Sequence, residues 1–240
     1  VRSRRQRQMC IRDRDRPDAT EKIEEGAIEV INKSDEFIRK NRNTLIIAVV
    51  VLLAVIGGII AYKNLYKAPR ASKAQEAIYK AEQYFDRDSF EIALNGNGAD
   101  VLGFLEVIDQ YGGTTSANLA EAYAGICLYN LGQYDEAINH LKKFKSKDSM
   151  ANPSLYGLIG DCYVNLDKTA EGIKYFEEAA KKADNGLLSP IYLIKAGIAY
   201  EALGQTANAK ASYQAVVDKY PNSASLPEAM KLLQALELKK

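Results

Sequence analysis

From residue 72 to the end of the chain, apolar side chains return every three or four positions with polar residues between them, the pattern of helices that each bury one face. Residues 72–85 are the first case, with Ala77, Ala81, Tyr84 and Phe85 at helical spacing. The polar, glycine-rich stretch FEIALNGNGAD follows and reads as a loop. Residues 45–62, LIIAVVVLLAVIGGIIAY, show a different pattern: eighteen positions without a charge. At 1.5 Å per residue they make about 27 Å of helix, close to the hydrocarbon thickness of a bilayer, and no polar face relieves them. A transmembrane helix over 44–62 is the prediction. A cleavable signal peptide fits less well, because YKNLYKAPR follows where small residues at a cleavage site would stand. Tyr62 and Tyr66, beside Lys63 and Lys67, suit an interfacial belt. Small residues at Ala54, Gly58, Gly57 and Ala61 give a weak signal for helix pairing.

The helical pattern also repeats. AEAYAGICLYNLGQYDEAINHLKKF, LYGLIGDCYVNLDKTAEGIKYFEEA and YLIKAGIAYEALGQTANAKASYQAV, starting at Ala120, Leu155 and Tyr192, align with offsets of 35 and 37 residues. Gly125, Gly160 and Gly197 coincide, as do Ala137, Gly172 and Ala209, small residues that let paired helices approach closely. Leu128, Tyr163 and Tyr200 coincide too, and so do Leu141, Phe176 and Tyr213, which fill the space between pairs. Gly132 and Gly204 fall in the turn between helices, where a left-handed backbone is needed.

This pattern resembles the tetratricopeptide repeat, a helix–turn–helix unit of 34 residues that stacks into a solenoid. The departures are Asp167 in a turn, Thr169 and Thr206 where Tyr134 has its aromatic, and a first-helix aromatic kept only as Tyr156. The expected fold is therefore all-α: one transmembrane helix, a linker over 63–71, then a repeat domain over 72–240. Within it a degenerate repeat occupies 72–116, and regular repeats occupy about 118–151, 153–187 and 190–223. A capping helix takes 225–238, opened by a capping box at Ser225 and Glu228. In this family the first helix of each pair lines the concave face. Carried over position by position, that face takes Leu119, Ala122, Ile126, Tyr129 and Asn130 from one repeat. Ser154, Gly157, Asp161, Val164 and Asn165 come from the next, and Ile191, Ile194, Ile198, Glu201 and Ala202 from the third. The candidate partner-binding residues are Leu119, Ile126, Tyr129, Asn130, Asp161, Val164, Asn165, Ile194, Ile198 and Glu201. No lysine or arginine is among them, so a clamp for a terminal carboxylate on that face is not expected, and a peptide with apolar anchors is.

Charge divides the chain. Residues 1–16 hold seven arginines against Asp13 and Asp15, a net of +5, and the other residues sum to −4. The arm has no lysine, whereas the rest uses 21 lysines and 4 arginines. Its string Met9-Cys10-Ile11-Arg12-Asp13 is similar to a translated sequencing-adapter end, so 1–16 is set aside as non-native and expected to be extended and exposed. Residues 17–43 form a polar tail, with an amphipathic helix lying at a membrane surface as the alternative. The basic residues flanking the span are nearly balanced and do not orient it. From Ala71 onward 17 basic residues face 22 acidic ones, which argues against a nucleic-acid partner.

Little else carries chemistry. His140, the only histidine, has no metal-ligand companion and reads as a surface residue among lysines. Cys127 and Cys162 occupy equivalent repeat positions and read as packed thiols, with no histidine placed to activate either. Asn95-Gly96-Asn97-Gly98 lacks the strand and lysine of a phosphate loop. No catalytic, cofactor or metal site is expected. The order of one span and then repeats, with AYKNLYKAPRASKAQEAIYKAEQYF after the span, resembles a bacterial envelope family that includes the ancillary subunit of the Sec translocon, its Bacteroidota members in particular. That resemblance implies an inner-membrane protein with periplasmic repeats and a non-catalytic adaptor or scaffold role near protein export. A structural assembly factor is the alternative.

Overall fold

The computed structural model describes residues 37–238, and these contain helices and turns but no strand. The expectations for residues 1–16 and for most of the polar tail lie outside them.

Helix α1 (Arg42–Ala61) buries none of its residues, and valine, leucine and isoleucine side chains stand exposed on all sides of it. It is long and apolar enough to cross a membrane by length and composition. A π-helical segment, Tyr62–Lys67, follows in the chain.

The second compact unit begins at Tyr66 and is built of helix pairs. Helix α2 (Ala68–Phe85) buries Ala74, Ala77, Ile78 and Ala81, a single stripe at helical spacing. The stretch expected as loop is in fact split. Phe90–Asn95 forms a short helix α3 because Ala93 and Leu94 have core to bury, and only residues 96–103 form the turn before α4 (Phe104–Tyr111). There Asn97 Oδ1 accepts from the amides of Ala99, Asp100 and Val101, and Gly96 and Gly103 bring their backbones together where a Cβ would collide. Phe85, Phe90, Phe104 and Tyr123 form the aromatic centre of this first unit, with Phe104 stacked on Tyr123 at 5.0 Å.

Three regular pairs follow: α5 (Thr115–Asn130) with α6 (Tyr134–Lys143), α7 (Ala151–Asn165) with α8 (Thr169–Ala183), and α9 (Leu188–Ala202) with α10 (Thr206–Lys219). Thr114 caps α5 by accepting from the Ala117 amide. Within each pair the expected close approach is present. Leu141 covers Gly125, Phe176 covers Gly160, and Tyr213 covers Gly197, each where a Cβ would overlap the knob. The turns between partners use left-handed residues at Gly132 (φ 77°), Asp167 (φ 58°) and Gly204 (φ 71°). Aspartate tolerates that backbone, which is why the departure at 167 leaves the turn intact. Helix α11 (Leu226–Leu238) packs on α10 through Ala229 and Leu236. The capping box expected there does not close. The Ala229 amide donates to the Ser225 carbonyl, and the Ser225 side chain makes no cap bond to Glu228.

Candidate functional site

The first helices α2, α5, α7 and α9 lie side by side and make one continuous face. Of the large apolar residues expected on it, Leu119, Ile191 and Ile198 are exposed, at 38%, 38% and 48% accessible. Leu119 also borders a groove of about 700 Å³ between α2 and α5, with Tyr79, Ile78, Glu76 and Glu82 on its other wall. The sequence reading did not place those four residues, because the degenerate repeat offered no aligned register for them. Burial raises the pKa of Glu82, and a hydrogen bond from Tyr123 partly opposes that.

Tyr129, Asp161 and Asn165 come together in the middle of the face. Burial first, and then the Asp161 carboxylate, push the Tyr129 phenol above its ordinary range. The ring meets Tyr134 edge-on at 5.7 Å. Asn130 and Asn165, at equivalent positions, each donate back to the carbonyl four residues earlier, on Ile126 and Asp161. Ile126 is half-buried against the core of the first pair, and Val164 packs over Gly172. Glu201 is half-buried and accepts from the Tyr213 hydroxyl at 2.8 Å.

Two expectations change here. Ile194 is only 4% accessible and sits in the core with Ala209 and Tyr213, so it offers nothing to a partner. Gly157, at the corresponding position of the preceding repeat, is covered by the Tyr192 ring. The face also does carry a cation. Lys195 Nζ contacts both Asp161 oxygens, at 2.6 and 2.8 Å, and ties α9 to α7. The signal for that pair was present, since Asp161 and Lys195 stand 34 residues apart, one repeat length, which makes them neighbours on adjacent first helices.

His140 is not a surface residue. Its side chain is 18% accessible, and Nδ1 lies 2.6 Å from Glu121 Oε2, joining α6 to α5. Cys127 and Cys162 are free and buried, and burial pushes each thiol up to about 12. Thiols held protonated in this way are poor nucleophiles. Among the described residues no three histidine, cysteine or carboxylate groups gather as metal ligands would.

Tetratricopeptide-repeat family models match residues 123–149 and 192–223, and a second such model matches 153–181. A TPR repeat-containing protein of Methanocaldococcus jannaschii is 26% identical over 134 residues, 55% of this chain and 22% of that protein, so the chain spans about a fifth of its relative's length. The crystal structure of MamA superposes with a TM-score of 0.39 at 20% identity, covering 57% of this chain and 88% of that one. The pairs α5–α6, α7–α8 and α9–α10 are tetratricopeptide repeats, and the chain carries a tetratricopeptide-repeat solenoid.

Proposed function

We propose that this chain is a membrane-anchored, non-catalytic adaptor that binds a polypeptide on the face of its first helices. The supporting observation is the strip from the α2–α5 groove through Leu119 and Tyr129 to Ile198, where apolar groups remain accessible beside Asp161 and the asparagines. Such a surface fits an extended or helical segment with apolar anchors. The anchor in this reading is α1, whose apolar side chains have no protein partner among the described residues. The resemblance to envelope proteins puts the span in a bacterial inner membrane, with the repeats in the periplasm near protein export.

A photo-crosslinker at Tyr129 or Asn165 tests the binding face. Capture of many unfolded clients supports the adaptor. A single stoichiometric membrane partner supports the alternative, an assembly factor. The Asp161–Lys195 bridge favours that alternative, because it and the half-burial of Ile126 and Val164 close part of the face to a free peptide. Unchanged partner recovery after both Leu119 and Ile198 are replaced by aspartate would overturn both versions. A phosphatase fused after Lys240 should be active if the repeats are periplasmic, and a stable but inactive fusion would overturn that placement.

A further inference from the structure

The seam between the first two regular pairs contains a recess. Helix α6 ends at Lys143, where Phe144 turns to extended backbone (φ −60°, ψ 133°), while its counterpart α8 continues to Ala183. Aligned from Tyr134 and Thr169, the helices differ by a last turn, in which α8 buries Ala179, Ala180 and Ala183. Residues 144–150 run in its place. They leave a cavity of about 410 Å³ whose walls include Lys142, Lys145, Ser146, Asn152, Tyr156 and Tyr175. The wall is held in place: the Asn118 side chain donates to the Lys145 carbonyl and accepts from its amide, both at 3.0 Å.

Two lysines and two tyrosines set the chemistry of this recess. Lys142 Nζ donates to the Tyr163 hydroxyl at 2.9 Å and stands 5.3 and 5.4 Å from the Tyr163 and Tyr175 ring centres. Those rings stack at 5.2 Å, and Lys182 lies over Tyr156. Lys168, Lys182, Lys195 and Lys210 each have a carboxylate within ion-pair reach. Among the described residues Lys142 and Lys145 have none, and neither do Lys143 and Lys147 beside them. The carboxylate in the loop, Asp148, accepts from the Met150 and Ala151 amides. So Lys142 and Lys145, neither with a carboxylate partner, line one recess with tyrosine rings beside them.

We propose that this recess binds a carboxylate-bearing peptide segment, its acid group held by Lys142 and Lys145 and an adjoining apolar side chain laid on Tyr156 and Tyr175. A phosphate fits less well. No guanidinium lines the cavity, and the loop amides of Lys145, Asp148, Met150 and Ala151 are already bonded, so the backbone cradle that phosphates use is missing there. The recess shares no residue with Leu119, Tyr129 or Ile198 and does not rest on the function proposed for that face.

The test is fluorescence polarisation of the full chain with a labelled peptide alternating leucine and aspartate, against its leucine–asparagine counterpart. The acidic probe should bind roughly tenfold tighter or more, through charge-assisted hydrogen bonds that the neutral probe cannot make. The double substitution Lys142→Gln and Lys145→Gln should abolish that preference. Lys143→Gln, outside the recess, and Ile198→Asp, on the first-helix face, should leave it intact. Circular dichroism melts confirm that each variant folds. Equal affinity for the two probes, or a preference that survives the double substitution, would overturn the proposal. So would protection of Lys142 and Lys145 from acylation by nanodiscs of anionic but not neutral lipid with no peptide preference, which would point to a lipid surface instead.

Discussion

The seam from α6 to α7 and the seam from α8 to α9 join equivalent helices one repeat apart, yet the last turn of the leading helix is missing at the first, the open seam, and present at the second, the closed seam, although a groove of about 510 Å³ borders the second as well. At the closed seam Asp184 (φ 42°) ends α8 in a left-handed turn, and Asn185 Oδ1 accepts from the Leu187 and Leu188 amides to start α9. Ser189, fully buried, donates to the Ala180 carbonyl, and the Tyr192 ring covers Gly157. At the open seam FKSKD stands where the closed one has AAKKA, and the last helical turn is lost. Both segments hold two lysines, but alanines favour helix and can be buried without a polar cost, whereas Ser146 and Asp148 bond backbone amides of the loop instead. The repeat period fixes which helices meet, and a few residues at a helix end fix whether helix or loop lines the seam between them.

Removing the knob of each seam is the strongest way to break this comparison. Tyr192→Ala should destabilise the domain by about 3–5 kcal/mol in denaturant titration. Leu155→Ala, at the equivalent position of the open seam, should fall at the low end of about 2–5 kcal/mol, because the neighbouring recess lets the site relax. Equal losses would mean that the two seams bear load alike. Overfilling comes next. Gly157→Ala places a Cβ in the Tyr192 ring and should cost about 1–3 kcal/mol, whereas Ala122→Gly at the same register should cost only about 0.5–1 kcal/mol.

A smaller effect is expected at the polar ties. Ser189→Ala removes a buried donor and should cost about 1–2 kcal/mol. Asn118→Ala, which only pins an exposed loop, should cost about 0.5–1 kcal/mol. The reverse order would show that the loop organises the open seam more than packing organises the closed one. Thiol chemistry separates local opening from global unfolding with almost no energetic perturbation. Cys127 and Cys162 should resist alkylation at pH 8 until the domain unfolds, since burial holds both thiols near 12, above an ordinary value of 9.0. Above the unfolded value the unfolded chain binds fewer protons than the native one, so this contribution to stability is lost as pH rises from 9 toward 12. Faster labelling of Cys127 than of Cys162 in the native state would locate the weaker packing in the first regular pair.

Legibility differed by residue. Gly125, Gly160 and Gly197 pair with their knobs because three copies of the pattern align, and the structure places Leu141, Phe176 and Tyr213 on them. Phe90–Asn95 reads as loop because a glycine-rich tail masks a short helix whose support is the burial of Ala93 and Leu94. Ile194 was assigned to the face by family register, but the partners of α9 bury it. His140 looked exposed among lysines because its partner Glu121 is on the preceding helix, nineteen residues back, where no local pattern links them.

Periodicity alone determined the helices other than α3, their pairing order, the small-residue contacts and the separate apolar segment now seen as α1. These follow from local rules: a 3.6-residue stripe, a repeat length, and glycine or aspartate where the backbone turns left-handed. Only the tertiary structure decided which side chains of the first-helix face stay accessible. It also brought His140 to Glu121 and shaped a recess beside Lys142 and Lys145. Each of these depends on how far one helix extends against its neighbour, a distance set by packing across the seam and not by the residues of either helix read alone.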